Sequence, residues 1–131
     1  MVSFRPREHS IRADINRLKE ARDFAEHAAA EFGFDADARY EVKLALSEAV
    51  TNAIRYGSRS PEDPVRILAV EESGALVFEV LDTGSFVPRV RRGGQFPESG
   101  RGFEFMRLLM DEVDLRPSRR GTLLRLAKRL T

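Results

Sequence analysis

The sequence predicts an α+β fold, a two-layer α/β sandwich with helices on one face of a mostly antiparallel mixed sheet. Two observations carry this expectation. Helical periodicity fills the first part of the chain, then strand-like runs grouped as hairpins take over, in the order helix, helix, strand, strand, loop, helix, strand, strand. Helices and strands do not alternate regularly, which disfavours a parallel sheet built from crossover units. A third observation sets the scale: 131 residues are enough for one sizeable core, so the chain reads as a single domain over 1–131.

The elements follow from local pattern. Ser10 is placed to cap a long helix over about 10–32, in which Ile15, Leu18, Ala21, Ala25, Ala28 and Phe32 step by three and four. Gly33 suits the left-handed position beyond its end. A second helix is expected over about 37–56, closed by Gly57. Its apolar stripe is wide, comprising Val42, Ala45, Leu46, Ala49, Val50, Ala53 and Ile54. Runs at 65–70 and 76–81 flank a turn at Ser73-Gly74 and read as a hairpin. Residues 83–102 carry several glycines and arginines without either periodicity, as functional loops do. A short helix over 103–110 and strands over 113–116 and 122–128 close the pattern.

Composition narrows the function classes. Hydrophobic residues at 42% and charged residues at 33% are ordinary for a globular protein. Lys+Arg number 22 against Asp+Glu 21, a formal charge of +1, so neither direct nucleic-acid binding nor an anionic membrane is expected. The absence of cysteine excludes disulfides, thiolate metal sites and cysteine nucleophiles. His9 and His27 are too few for a histidine-rich metal site. No apolar run approaches the ~20 residues of a membrane span, and the first residues lack a signal-peptide pattern, so a cytoplasmic address is expected.

Three places ask for a chemical explanation. Glu48 and Asn52 are four apart, hence one turn apart on the same helix face. An isolated Glu-x-x-x-Asn pair is ordinarily a solvated stripe. Here almost every other position from Ala45 to Ile54 is small or apolar, and a carboxylate beside an amide oxygen suits a hard ion or the positioning of a hydroxyl. Asp82-Thr83-Gly84 ends an apolar strand; most such sequences are ordinary turns, but a carboxylate there can also accept from the exocyclic amine of adenine while Gly84 lets the base approach. Gly100-Arg101-Gly102 leads into a helix, where backbone N–H groups and the helix dipole favour an anion and Arg101 adds a charged donor. Each signal alone is weak. In this order they supply metal, base and phosphate contacts, which together describe a nucleotide site.

Residues 41–54, with Glu48 and Asn52, resemble the N-box of the GHKL ATPases, and more narrowly that of bacterial anti-sigma-factor serine kinases used in partner switching. Asp82-Thr83-Gly84 resembles the G1 box. Gly100-Arg101-Gly102-Phe103, continuing through Leu109 to Val113, is similar to the G2 box, and Gly121-Thr122 before Leu124, Arg125 and Leu126 is similar to the family's closing strand. The matches span residues 41–128 in order.

The resemblance implies a Bergerat-type ATP-binding fold and specific roles. Asn52 would ligate Mg²⁺ bridging the ATP phosphates, and Glu48 would be the general base toward a substrate serine. Asp82 would read the adenine amine with Thr122 assisting, Gly84 would admit the base, and Gly100 and Gly102 would cradle phosphates. The implied partners are an anti-anti-sigma protein of the STAS type and a sigma factor, with homodimerisation usual. Arg22 lies at a position resembling a partner contact. Three features depart from the pattern: Ser85-Phe86-Val87-Pro88 follows Gly84 in place of a second glycine, the short lid carries Arg89, Arg91 and Arg92, and Tyr56 stands where many relatives have His.

Two further functions fit the same motifs. One is a non-catalytic ATP-binding switch that regulates a phosphatase or another partner, which Glu48 disfavours because a switch needs no general base. The other is a histidine-kinase catalytic domain, ranked last because the chain has no room for a phosphoacceptor hairpin.

Overall fold

The computed structural model describes residues 4–83, 100–118 and 120–130. Strand β1 (Arg7–Arg12) opens the chain and is followed by a 3₁₀ turn, Ile15–Arg17. Helices α1 (Leu18–Phe32) and α2 (Ala36–Asn52) come next, and a π-helical turn, Ala53–Gly57, extends α2. Then come β2 (Pro64–Glu72), β3 (Ala75–Asp82), α3 (Gly100–Leu109), β4 (Glu112–Ser118) and β5 (Gly121–Arg129). The strands form one sheet in the order β1-β2-β3-β5-β4, and every ladder among the described residues is antiparallel.

The amino-terminal expectation needs correcting. Ser10 caps no helix; it lies in β1, paired with Arg66 of β2. The helical start is marked by Asp14, whose side chain accepts from the Asn16 amide at 2.9 Å. β1 was hard to read because Ile11 is its only buried apolar residue, so a period of two has almost nothing to show. It is a polar edge strand, held by its ladder to β2 and by the Ile11↔Val65 pair rather than by propensity.

The remaining elements match expectation with shifted ends. Asp35 caps α2 by accepting from Ala38 N at 2.9 Å. Ser73 and Gly74, at φ 51° and 81°, form the two-residue turn that sets the β2–β3 register from Glu72↔Ala75 onward. α3 starts at Gly100, three residues before its expected beginning, so the glycine pair forms its first turn.

Alternation on the strands separates two faces. Leu76, Phe78 and Val80 of β3, with Leu124 and Leu126 of β5, pack under the helices together with Ile67, Leu46, Val50 and Met106. Ala21, Ala25, Ala28 and Ala29 give α1 a buried face of small side chains. Full burial of side chains such as Phe78, Leu46 and Ile67 contributes about 1.5–3 kcal/mol each. Among the described residues, the helix-free face holds a small apolar cluster of Ala75, Val77 and Ala127, with Val70 packed against it. Beside it, Arg125 donates to both carboxylate oxygens of Glu72, at 2.7 and 3.1 Å. No helix among the described residues is long and apolar enough to cross a membrane.

Candidate functional site

The helix-facing series on β3 runs Leu76, Phe78, Val80 and then Asp82, its last residue. The same series on β5 runs backward through Leu126 and Leu124 to Thr122. Asp82 and Thr122 are register partners. A stripe that is apolar over most of its length thus ends, on two adjacent strands, in a carboxylate and a hydroxyl aimed into the helical layer.

Asn52 meets them from the other layer. It is the last α-helical residue of α2, where the chain widens into the π-turn. Asn52, Asp82 and Thr122 are the buried polar residues among those described, at 5%, 7% and 6% exposure. All of them line one cavity, whose walls are Ala49, Ala53, Val80, Phe103, Leu115 and Leu124. The amide nitrogen of Asn52 and the hydroxyl of Thr122 have no hydrogen-bond partner. Leaving a buried polar group unsatisfied costs about 1–3 kcal/mol, so two such groups beside one carboxylate mark a place prepared for a polar ligand.

Glu48 lies one turn before Asn52 and is half-buried. A methyl group built on Gly102 would overlap Glu48, with Cδ at 3.3 Å and Cγ at 3.4 Å and Oε1 closer still. The carboxylate therefore rests on the first turn of α3, whose unpaired N–H groups carry partial positive charge. Thr51, between Glu48 and Asn52, donates its hydroxyl to the Ser47 carbonyl at 2.7 Å, which keeps it out of the site.

The structure therefore joins Asn52, Asp82 and Thr122 in one cavity, and Glu48 with Gly102 at the adjoining end of α3, where Gly100 opens the helix. Gly84, the Arg101 side chain and the arginine-bearing stretch of Arg89, Arg91 and Arg92 lie outside the described residues. Arg22 is exposed on α1, away from this cavity. Among the described residues no group of three His, Cys, Asp or Glu side chains is placed to hold a metal ion.

Two contributors had no assigned role in the sequence reading. Phe103 follows the glycine pair, is 6% exposed and forms one wall of the cavity. Gly57 lies against the Asp82 carboxylate. Phe103 was legible as the apolar residue after Gly-x-Gly. Gly57 was not, because its neighbour is 25 positions away in sequence and across the fold.

The cavity is mostly apolar in its walls and offers a carboxylate acceptor, a hydroxyl and an amide. Those groups are the partners an exocyclic amine and a neighbouring ring acceptor need, and the α3 amino terminus beside them favours an anionic group.

Comparison with known proteins gives the family and the fold. A sequence model of the histidine kinase-like ATPase domain matches residues 11–128. The anti-sigma F factor of Clostridium acetobutylicum is 34% identical, the match covering 72% of this chain and 74% of that protein. The anti-sigma F factor of Thermoanaerobacter pseudethanolicus is 28% identical, covering 92% and 95%. Among solved structures, one of the RsbU and RsbW domains of a Mycobacterium tuberculosis protein superposes with a TM-score of 0.74 at 22% identity, over 96% of this chain and 32% of that one. This chain spans about a third of that solved chain. The histidine kinase domain of a blue-light activated kinase from Erythrobacter litoralis gives a TM-score of 0.60 at 19% identity, over 92% of this chain and 62% of that one. At these identities the structural matches speak for the fold alone. The chain belongs to the histidine kinase-like ATPase domain family, the GHKL type, with anti-sigma F factors among its relatives.

Proposed function

We propose that this chain is a single-domain, cytoplasmic ATP-dependent serine/threonine protein kinase that is also an anti-sigma factor. In this reading it phosphorylates an anti-anti-sigma antagonist of the STAS type and sequesters a sigma factor, acting as a homodimer. The observation that carries the nucleotide part is the gathering of Asn52, Asp82 and Thr122, two of them with unpartnered atoms, in one otherwise apolar cavity. The partners rest on the anti-sigma F factors among the relatives.

Asp82 accepts from the exocyclic amine of adenine, and the Thr122 hydroxyl serves a ring nitrogen. Phe103 and Val80 enclose the base and exclude water. Free N–H groups at Gly100 and Gly102 bind phosphate oxygens. Asn52 would hold a Mg²⁺ ion through its side-chain oxygen: the residue is buried and lies one turn from Glu48, and its unpartnered amide nitrogen is left to donate to a phosphate oxygen. When bound, such an ion would supply charge neutralisation for phosphoryl transfer. Glu48 holds its carboxylate against Gly102 at the start of α3, where the terminal phosphate would lie. It accepts the proton of the substrate hydroxyl as that oxygen attacks the γ-phosphorus and ADP leaves.

The test incubates the chain with Mg-ATP and each candidate small antagonist from the same genome, read by intact mass. One added phosphate on a single antagonist is expected. Tight ATP binding without transfer to any antagonist would contradict the kinase and favour a nucleotide-gated binding module.

A further inference from the structure

Two glycines close on Asp82 from different sides. Gly57 is buried at the end of the π-turn, against the carboxylate. A methyl group there would overlap Oδ2 and Cγ, and even the farther oxygen, Oδ1, would lie 2.9 Å away. Gly121 lies against the backbone of the same residue, where a methyl group would find the Asp82 carbonyl carbon at 2.9 Å and Thr83 Cα at 3.0 Å.

The two glycines are needed for different reasons. Gly121 has φ 134°, a conformation that itself favours glycine. Gly57 is not among the residues of positive φ, so its backbone makes no such demand. What requires glycine at 57 is the space taken by the Asp82 carboxylate. Asp82 cannot retreat, because β3 is paired on both sides there, to Val65 and to Thr122. A side chain at 57 must therefore turn the carboxylate or open the π-turn, and Ser58 holds that turn by donating its hydroxyl to the Ala53 carbonyl at 3.0 Å.

We propose that Gly57 is the positioning residue of base selection: it sets the direction in which the Asp82 carboxylate enters the cavity, and so the preference for a 6-amino over a 6-oxo purine nucleotide. Gly57 is not part of the cavity wall and acts through Asp82. The inference rests on the reading of Asp82 as the acceptor for the exocyclic amine. A 6-oxo purine presents an acceptor at that point and is repelled by a correctly aimed carboxylate.

The experiment measures the affinities of Mg-ATP and Mg-ITP by calorimetry on the full chain and on Gly57→Ala, Asp82→Ala and the double variant. Gly57→Ala should weaken Mg-ATP by about 10–100-fold, the loss of a charge-assisted hydrogen bond, while Mg-ITP, relieved of the repulsion, binds as well as before or more tightly. In the Asp82→Ala background it should change neither affinity further. A wild-type ATP-to-ITP ratio in Gly57→Ala, with that ratio lost in Asp82→Ala, would overturn the role of Gly57 while leaving base reading intact. A ratio retained in Asp82→Ala would instead overturn the base reading beneath it. If Gly57→Ala fails to fold, removal of the carboxylate should restore a melting transition in the double variant, and a double variant that stays unfolded overturns the inference.

Discussion

Asp82→Asn separates a binding role from a structural one. The carboxylate is 7% exposed, so the nucleotide-free fold bears the desolvation of a charge at that point. Asparagine has nearly the same shape and fills the space left by Gly57 equally well. It can still accept through its amide oxygen, but as a neutral group. A hydrogen bond to a charged partner is worth about 1.5–3 kcal/mol and a neutral one about 0.5–1.5, so roughly 1–2 kcal/mol of binding is lost. That is about a 5–30-fold rise in the Kd of Mg-ATP by calorimetry. Because asparagine keeps the shape of the side chain, melting without nucleotide should change far less than the lost binding requires. Unchanged ATP affinity would refute the assignment. So would a drop in melting temperature large enough to account for the lost binding.

Other consequences follow from the same geometry. Thr122→Val removes a buried hydroxyl that has no partner, so the nucleotide-free protein should gain about 1 kcal/mol in urea unfolding while Mg-ATP affinity falls several-fold. Gly121→Ala places a side chain at φ 134° against the Asp82 backbone and should destabilise by at least about 1–3 kcal/mol in the same assay. Glu72 is held below its ordinary carboxylate value, first by its hydrogen bonds from Arg125 and then by that charge. Its folded value is the lower one, so its contribution is complete above the ordinary carboxylate range and disappears as pH falls through the lowered value. Glu72→Gln should therefore reduce stability at neutral pH and converge with wild type in strong acid, measured by urea midpoints across pH.

Much of the fold was legible because its signals are local. The Ser73-Gly74 turn, the alternation of β3 and the alanine spacing of α1 each lie within a few residues of one another. β1 was missed because an edge strand paired on one side needs few apolar residues, and only Ile11 and the ladder to β2 distinguish it. Among the candidate site residues, Glu48, Asn52 and Asp82 were legible because polar residues interrupt apolar stripes, at one helix face and one strand end, whereas Thr122 was implied only by the resemblance of the closing strand. The role of Gly57 was hidden since its requirement comes from a side chain on another element. Sequence shows that a glycine is present and does not show what presses on it. The π-turn that delivers Gly57 was read as an ordinary helix end, for its residues continue the helical pattern while the hydrogen bonding widens.

The most direct test of the central claim pairs two measurements on one preparation of Glu48→Gln: Mg-ATP affinity by calorimetry, and phosphate transfer to the antagonist by intact mass. Glutamine keeps the contact with Gly102 and loses the basic oxygen. The account predicts a Kd within about 2–3-fold of wild type and transfer slowed by about 10²–10⁴-fold, as for loss of a general base. Transfer at the wild-type rate would contradict Glu48 as the base, and loss of ATP binding in parallel with transfer would contradict the separation of base recognition from chemistry.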